Sequence, residues 1–588
     1  MKVSDYIVKF LVEYKIDQVF SYIGKNAHIC DSIDKDKAIQ NIFTIHEQGA
    51  GFAADAYARV TSKTGVATVT SGPGGTNLVT AIADCYFDAI PTMFIVGDLP
   101  PDECRGDKCI RQFGFQETDM VSIVKPITKY AVAINDLKDL RYELEKAYFL
   151  SQEGRKGPVL ISLPENLQFI QTYEPNQEKS FYDSDEYKKM IQNTHNHIDN
   201  EDIKTTVELI KKAERPVVLI GGGVRQSLGA GLELKQFLDK TNIPIVYSLM
   251  GKDVIRDDYK YNLGFIGNFG NRYSNLTVAN ADLLIVLGSR LDYLQTGRNI
   301  DTFAREAKII QVDIDQFELG LRLHIDLPVL FDVKSFLQKL NKNNFTLNID
   351  AWQNKVLQYK EKYPSEYGID KKERIGNKII SKISEYLRDD DIICVDVGEH
   401  QMLVAQSLVT KGSQRILFSG GFGTMGFSLP AAIGATLGTG RRVIVISGDG
   451  GFQMNIQELE VLHRRNLPIK MFIINNASLH MVKLRQDTYL NGNRVGSQKD
   501  YSVPSLKKVG EAYRIKSHEV SNLNLNEVNE VIEKSLQNNE PELVDIKLEG
   551  PMTTVEPRLD FNRAFEDMRP YLKREELEDL MYIKSWNK

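Results

Sequence analysis

Two oxygen-bearing side chains in the last third of the sequence each follow a predicted strand. The tripeptide GDG at 448–450 ends the run RVIVIS, NN at 475–476 ends the run IKMFII, and Asp449 and Asn476 are 27 positions apart. This is the spacing of one strand–helix–strand unit, which brings both side chains to the carboxyl edge of neighbouring parallel strands. Magnesium prefers hard oxygen ligands and usually takes only a few of them from protein. The pattern therefore predicts a metal site made by Asp449, Asn476 and the backbone carbonyl of Ser478.

The same loop has features of a phosphate-binding site. Gly450 and Gly451 permit close approach of an anion, and a helix predicted to begin near Asn455 directs its positive end toward it. The alternative is an ordinary strand-to-helix turn followed by an unrelated loop, as in many large α/β proteins. The match to the dinucleotide pattern GxGxxG at 421–426 is weak, because the acidic residue expected about 20 residues later is already committed as Asp449.

A second pattern lies near the N-terminus. The segment IQNIFTIHEQGAGFAADAYARVT passes from a predicted strand to a predicted helix at Glu47. A glutamate in the first turn of a helix is favoured by the helix dipole alone, which is the structural explanation for it. Glu47 does not stand alone, however, because a metal and phosphate site is predicted in the same chain.

These patterns, with several others in the same order, resemble the catalytic subunit of the acetolactate synthases, which are thiamine-diphosphate enzymes. The shared phrases extend over nearly the whole chain and include TSGPGGTN, GFQE, RPVVLIGGGV, SLMGK, VGEHQM, SGGFGTMGFSLPAAIGA and NLPIK. The resemblance implies thiamine diphosphate and Mg²⁺ as cofactors, a 2-keto acid as donor and a carbonyl compound as acceptor. It also implies a homodimer or homotetramer with active sites between subunits.

The resemblance also implies roles for individual residues. Glu47 matches the glutamate that hydrogen-bonds the aminopyrimidine ring and so promotes removal of the C2 proton of the thiazolium ring. Met425 matches the apolar residue that forces the two rings together. The other catalytic candidates are Lys25, His28, Phe115 and Gln116. The other cofactor-binding candidates are Pro73, Asn77, Gly398, His400, Gln401, Gly423, Gly448, Gly450, Gly451, Ser478 and Met481, together with Asp449 and Asn476.

Three departures from the synthases concern the acceptor. Leu294, in GSRLDYLQTG, stands where the synthases have an arginine that binds the second keto acid, and Arg485 stands where they have a tryptophan. Lys25, in SYIGK, replaces a glycine beside the reaction centre. Lys25 and His28 are candidates to hold an anionic or hydroxyl-rich substrate, and the alternative is that both are solvated loop residues. Losing a carboxylate-binding arginine together with a pocket-forming aromatic predicts a changed acceptor.

Other functions stay open at this stage. Simple decarboxylases of this superfamily carry a His-His pair where the chain has RQF at 111–113, so carbon–carbon bond formation is favoured over aldehyde release. A non-catalytic binding or regulatory homologue is expected to have lost Glu47, Asp449 or Asn476, and all three are present. The acceptor is either a second 2-keto acid or a nucleotide-linked keto sugar, because the tail PRLDFNRAFEDMRPYL resembles homologues from polysaccharide and deoxysugar biosynthesis.

The composition is that of an ordinary globular protein. The chain has 588 residues, 42% of them apolar, and a net charge of −6, which argues against binding to nucleic acid or a membrane surface. Residues 1–20 mix charged and apolar side chains and predict neither a signal peptide nor a membrane span, so we expect a cytoplasmic protein. The five scattered cysteines favour reduced thiols.

The elements that must position these residues are short apolar runs such as VATVT, TMFIVG, PVVLIGGG, LLIVLGS and IICVDVG, which alternate with helical patterns. Such runs are typical of parallel strands buried on both faces. They predict an α/β protein of three doubly wound parallel-sheet domains: pyrimidine-binding at 1–172, central at 195–342 and diphosphate-binding at 365–550, with a tail at 551–588. The polar stretches at 173–201 and 340–350 are predicted linkers.

The central domain has a possible nucleotide site. The resemblance implies structural FAD held by glycine-rich loops, and GGG at 221–223 and GSR at 288–290 are present, whereas GNFGN at 267–271 departs from the family phrase. The alternative is an empty, degenerate nucleotide fold.

Overall fold

The computed structural model describes residues 1–193, 200–550, 555–560 and 562–586. It has three α/β units, each built on a six-stranded parallel sheet, so the predicted fold class is confirmed. Runs such as LLIVL and PVVLI form strands in which every residue is buried, because helices cover both faces of each sheet. No described helix has the length and apolar character required to cross a bilayer.

The first sheet has the strand order β2-β1-β3-β4-β6-β5. Its strands are β1 Gln18–Ser21, β2 Gln40–Phe43, β3 Gly65–Thr70, β4 Thr92–Asp98, β5 Tyr130–Ala133 and β6 Val159–Pro164. Its helices are α1 Val3–Glu13, α2 Ala27–Lys35, α3 Glu47–Thr61, α4 Pro73–Asn77, α5 Val79–Phe87, α6 Met120–Val124, α7 Leu137–Gln152 and α8 Glu165–Gln168. The loops after β1, β2 and β3 place their side chains at one edge of the sheet.

Part of the first predicted linker is helical, as α9, Asp185–Asn193. Residues 194–199 of that linker lie outside the described residues.

The central sheet has the strand order β12-β11-β10-β7-β8-β9, in which the chain reverses direction across the sheet between β7 and β10. Its strands are β7 Pro216–Ile220, β8 Ile245–Tyr247, β9 Asn262–Phe265, β10 Leu283–Leu287, β11 Lys308–Asp313 and β12 Leu327–Leu330. Its helices are α10 Asn200–Lys212, α11 Gly223–Gln226, α12 Ala230–Thr241, α13 Arg272–Ala279, α14 Tyr293–Thr296, α15 Val333–Leu340 and α16 Asp350–Lys362. This order is that of dinucleotide-binding folds, in which ligands bind at the point of reversal.

The third sheet has the order β14-β13-β15-β16-β18-β17, which repeats the topology of the first. Its strands are β13 Ile392–Val395, β14 Arg415–Phe418, β15 Val443–Gly448, β16 Ile469–Asn475, β17 Lys516–Ser521 and β18 Glu542–Lys547. Its helices are α17 Ile375–Tyr386, α18 Glu399–Ser407, α19 Ser428–Thr439, α20 Asp449–Met454, α21 Leu459–Arg465, α22 His480–Tyr489, α23 Leu506–Ala512 and α24 Leu525–Leu536. The reversal point lies between β13 and β15, so the loops at Gly398 and Gly448 face each other there.

The described part of the C-terminal tail packs against the central unit. It contains α25, Arg574–Leu580. Phe565 and Leu577 belong to the same buried cluster as the strands of the central sheet. The Arg305 guanidinium pairs with the fully buried Glu566 side chain at 2.9 Å, so an ion pair also joins the tail to the central unit.

Candidate functional site

Asp449 and Asn476 lie at the carboxyl edge of the third sheet, as the spacing predicts. Asp449 is the first residue of α20, and its Oδ2 accepts a hydrogen bond from the Tyr501 hydroxyl at 2.7 Å. Asn476 directly follows β16, and its Oδ1 accepts hydrogen bonds from the backbone N–H and the hydroxyl of Ser478, each at 3.1 Å. A helical segment does begin next to Asn455, because the 3₁₀ turn Ile456–Glu458 follows it and leads into α21. A further helix that the sequence did not predict, α20, begins earlier, at Asp449, and is capped at its C-terminal end by Asn455. Gly448 takes an extended N-cap conformation, and Asp449, Gly450 and Gly451 form the first turn of α20.

A third oxygen-bearing side chain, Glu399, completes this group. Its Oε2 accepts a hydrogen bond from Asn476 Nδ2 at 2.8 Å and lies 3.8 Å from His480 Nδ1. Burial raises the pKa of Glu399 to about 8 and also raises the pKa of Asp449. Both carboxylates are thus costly to charge without a nearby cation. The donor set therefore fits a divalent cation held by oxygen ligands.

Glycines line the phosphate side of this group. A Cβ on Gly448 would lie 2.9 Å from His400 Nδ1, and one on Gly451 would lie 2.2 Å from Asp396 Oδ1. His400 is buried, which lowers its pKa to about 4, and among the described residues its Nε2 has no hydrogen-bond partner. An unpaired buried ring nitrogen beside a glycine-lined loop fits an anionic group such as a diphosphate.

Gly398 and Gln401 belong to the same edge. Gly398 has a φ of 155°, and a Cβ there would lie 2.8 Å from the His400 ring. Gln401 is buried, and its amide donates to the carbonyl of Ser419 at 3.3 Å. This bond ties α18 to the loop that leads to Gly423 and Met425.

The loop that carries Gly423 and Met425 is held by the first unit. Asp88 accepts hydrogen bonds from the backbone N–H groups of Gly420 at 3.1 Å and Gly421 at 2.6 Å. Asp84 accepts one from the Thr424 hydroxyl at 3.0 Å, and burial raises the pKa of that carboxyl. A Cβ on Gly450 would lie 3.2 Å from Met425 Cε, so the loop brings Met425 to the glycine-lined edge.

Glu47 lies at the corresponding edge of the first sheet. It is the first residue of α3, is 8% exposed, and accepts a hydrogen bond on Oε2 from Asn77 Nδ2 at 2.9 Å. Pro73 begins α4, the helix that carries Asn77. A Cβ on Gly74 would lie 3.4 Å from Glu47 Oε1. The glycine-rich segment after β3 thus lets the backbone of α4 pack close to the carboxylate.

Lys25, Phe115 and Gln116 meet near this edge. Lys25 Nζ donates to Gln116 Oε1 at 2.7 Å and lies 5.9 Å from the centre of the Phe115 ring, which is 81% exposed. Gln116 has a φ of 66°, a conformation unusual for a residue with a side chain. His28 lies on α2, where its ring is 5.3 Å from the Phe169 ring.

A separate cavity of about 760 Å³ opens where the central unit meets the other two. Its lining includes Gly222, Gly223, Ser289 and Arg290 at the reversal point of the central sheet. Leu294 and Met481 line it as well, whereas Arg485 is exposed on α22. Met481, a predicted cofactor residue of the third unit, therefore faces the space beside the central sheet.

Residues that the sequence reasoning missed hold the predicted ones in place. Tyr501 bonds Asp449, Glu399 bonds Asn476, and Asp84 and Asp88 hold the Met425 loop. Glu399 could have been found, because it lies within the phrase VGEHQM next to His400. The contacts of the others join residues far apart in the chain, and no local pattern marks them.

Family models match the chain in three consecutive segments. The N-terminal TPP binding domain of thiamine pyrophosphate enzymes matches residues 1–123, the central domain matches 203–340, and the C-terminal TPP binding domain matches 396–546. The acetolactate synthase large subunit of Lactococcus lactis subsp. lactis is 36% identical over 522 residues, which cover 88% of this chain and 88% of that one. Acetolactate synthase 1, chloroplastic, of Zea mays is 34% identical over 581 residues, covering 96% and 88%. The chloroplastic acetolactate synthase of Arabidopsis thaliana is 34% identical over 560 residues, covering 93% and 81%.

Proposed function

Because this chain belongs to the family of thiamine-diphosphate-dependent acetolactate synthases, we propose that it decarboxylates pyruvate and transfers the two-carbon unit to a carbonyl acceptor. The observation that carries the proposal is the group formed by Asn476 and the two buried carboxylates Asp449 and Glu399, which lies beside glycine-lined loops. Neither aldehyde release alone nor a purely regulatory role is favoured.

Each part of the site has a role in this proposal. Bound thiamine diphosphate supplies a carbon nucleophile and stabilises the electron pair left by loss of CO₂. Asp449, Asn476 and the Ser478 carbonyl would hold Mg²⁺, and His400 Nε2, which has no hydrogen-bond partner among the described residues, would be available to the diphosphate. Glu47, oriented by Asn77, exchanges a proton with the aminopyrimidine ring.

The product identifies the acceptor. Labelled pyruvate should be supplied with thiamine diphosphate, Mg²⁺ and a panel of 2-keto acids and nucleotide-linked keto sugars, and the condensed product should be analysed by mass spectrometry. A labelled two-carbon unit joined to one acceptor supports the proposal. Acetaldehyde as the sole product with every acceptor would contradict it.

Glu399 is expected to orient a metal ligand. Its hydrogen bond to Asn476 Nδ2 leaves Asn476 Oδ1 as the atom available to Mg²⁺. Glu399→Leu should weaken Mn²⁺ binding by about 10- to 100-fold, the usual effect of losing such a support, as measured by electron paramagnetic resonance. Glu399→Gln keeps an acceptor oxygen and is the matched control. Equal Mn²⁺ affinity in the leucine variant and the wild type would count against this role.

Lys25 is the proposed contact for an acidic group on the acceptor. Its backbone is fixed by hydrogen bonds to Thr70 and Gln168, which hold its ammonium beside Gln116. Lys25→Met should raise the KM for an anionic acceptor by about tenfold or more, since hydrogen bonds between charged groups contribute about 1.5–3 kcal/mol. The KM for pyruvate should change little, and Lys25→Arg, which keeps the charge, should lose less. An unchanged acceptor KM in Lys25→Met would exclude this contact.

The cavity beside the central sheet is the proposed FAD site. Gly223 approaches Gly288 so closely that a Cβ on it would lie 2.7 Å from Gly288 Cα, which suits glycine-rich nucleotide loops. The volume of about 760 Å³ is within the range of cofactor pockets. Protein purified with FAD should be yellow and release flavin fluorescence on heating. Colourless protein that does not take up added FAD would favour an empty nucleotide fold.

We further propose that the active sites form between subunits of a homo-oligomer. Phe115, whose ring lies 5.9 Å from Lys25 Nζ, is 81% exposed, and Ile23, two residues before Lys25, is 56% exposed. Such apolar exposure beside a site is typical of an interface. A cytoplasmic location stays a prediction.

Mixed subunits test this arrangement. Glu47→Gln and Asp449→Ala subunits are each expected to be inactive. If Glu47 of one chain acts with Asp449 of another, mixing equal amounts should restore about a quarter of the wild-type rate, because about half of the dimers are hybrids with one intact site of two. Mixtures that exchange subunits, as shown by native mass spectrometry, yet stay inactive would place both residues in one chain's site.

A further inference from the structure

Two buried side chains just after the metal-binding loop reach across to the first unit. Asn455 ends α20, is 1% exposed, and lies close in sequence to Asp449. Glu458 precedes α21 and is fully buried. Both belong to the third unit, yet their polar atoms contact the segment that carries Glu47. We call these two residues the Asn455–Glu458 pair.

Glu458 holds the backbone immediately before Glu47. Its Oε1 accepts hydrogen bonds from the backbone N–H of Ile45 at 3.2 Å and of His46 at 3.0 Å, and its Oε2 accepts from Ile45 at 3.3 Å. A Cβ on Gly49 would lie only 2.5 Å from Glu458 Oε1. A side chain at Gly49 would therefore displace the Glu458 carboxylate from the backbone just before Glu47.

Asn455 joins the neighbour of Glu47 to the neighbour of Met425. Its Nδ2 donates to Gln48 Oε1 at 3.1 Å and to the Gly426 carbonyl at 2.7 Å. Its Oδ1 accepts from Gln457 Nε2 at 3.3 Å, which sets the orientation of the amide. One side chain thus links both segments to the metal-binding loop of the same chain.

We propose that Asn455 and Glu458 are positioning residues that set the placement of the Glu47 carboxylate and the Met425 side chain for the reaction. The inference rests on the proposed function. Its physical basis is that a displacement of about 1 Å in a catalytic group can cost about 100-fold in rate. Both side chains are buried and hydrogen-bond the segment that carries Glu47. Truncating Asn455 or Glu458 should therefore loosen that segment without removing a metal ligand.

The test measures the rate of deuterium exchange at C2 of bound thiamine diphosphate by acid quench and NMR. The kcat, the KM for pyruvate, the cofactor affinity and the melting temperature of each variant are measured as well. Asn455→Ala and Glu458→Ala should each slow exchange and lower kcat by about tenfold or more, with the KM for pyruvate little changed. Gln48→Met removes one of the two hydrogen bonds that Asn455 Nδ2 donates, at similar side-chain volume, and should have a smaller effect. Glu458→Gln keeps an acceptor oxygen and should recover most of the lost exchange rate.

Controls separate this inference from the proposed function. If Glu47→Gln stops exchange while Asn455→Ala and Glu458→Ala exchange at the wild-type rate, the positioning role is overturned and the function stands. If Glu47→Gln itself exchanges normally, the proposed function fails. If the alanine variants do not fold, Gly49→Ala, which pushes Glu458 away, and Gln48→Met replace them. Exchange at the wild-type rate in both variants would overturn the positioning role. Slowed exchange in folded protein would support it.

Discussion

Replacing Glu47 by glutamine should lower kcat by about two to four orders of magnitude, the range that a positioned acid–base group contributes. Glu47 is nearly buried at the start of α3 and receives a hydrogen bond from Asn77 at 2.9 Å. Glutamine has the same shape but cannot exchange a proton with a ring nitrogen. Steady-state kinetics with pyruvate and the identified acceptor give the size of the loss, and C2 exchange locates it before decarboxylation.

The matched control for this change is Asn77→Ala. It leaves the Glu47 carboxylate intact and removes only the group that orients it, so a smaller loss of kcat is expected. Cofactor affinity and melting temperature of Glu47→Gln should stay close to those of the wild type, because no buried contact is removed. Full turnover in a folded Glu47→Gln variant would refute the assigned mechanism.

Much of the scaffold around these residues could be predicted from sequence because its signals are local. Strands buried on both faces need apolar residues at every position, so β7, β10 and β15 are visible as continuous runs. Ligands bind at the carboxyl edge of such sheets. Asp449 and Asn476 directly follow β15 and β16, so the sequence alone was enough to predict them as site residues. The same reasoning does not give strand order, so the shared topology of the first and third sheets became visible only in the fold.

Contacts between segments that are distant in the chain could not be predicted from the sequence. Asn455 and Gln48 are separated by 407 positions, and Tyr501 follows Asp449 by 52. Such pairs depend on how whole units pack, and neither residue type is unusual at its position. Helix α20 was not predicted for a different reason: its first turn contains Gly450 and Gly451, and glycines argue against helix by propensity.

The second large effect is expected from Asp449→Ala. It should weaken Mg²⁺ binding by more than about 100-fold, because it removes a ligand itself rather than a supporting group, whose loss costs about 10- to 100-fold. Thiamine diphosphate should then bind weakly as well, since Mg²⁺ offsets its negative charge. Titration with Mn²⁺ followed by electron paramagnetic resonance, with and without the cofactor, measures both effects directly.

Tyr501→Phe is the control that separates metal binding from local structure. The Tyr501 hydroxyl donates to Asp449 Oδ2 at 2.7 Å, so phenylalanine removes the hydrogen bond and keeps the packing. We expect a loss of Mn²⁺ affinity of about tenfold, the lower end of the range for groups that only orient a ligand. If Asp449→Ala and Tyr501→Phe lose affinity equally, Asp449 acts through the structure of its loop. If only Asp449→Ala loses the metal, the carboxylate is a ligand, and Glu399→Leu should then fall between the two, because it acts on Asn476 alone.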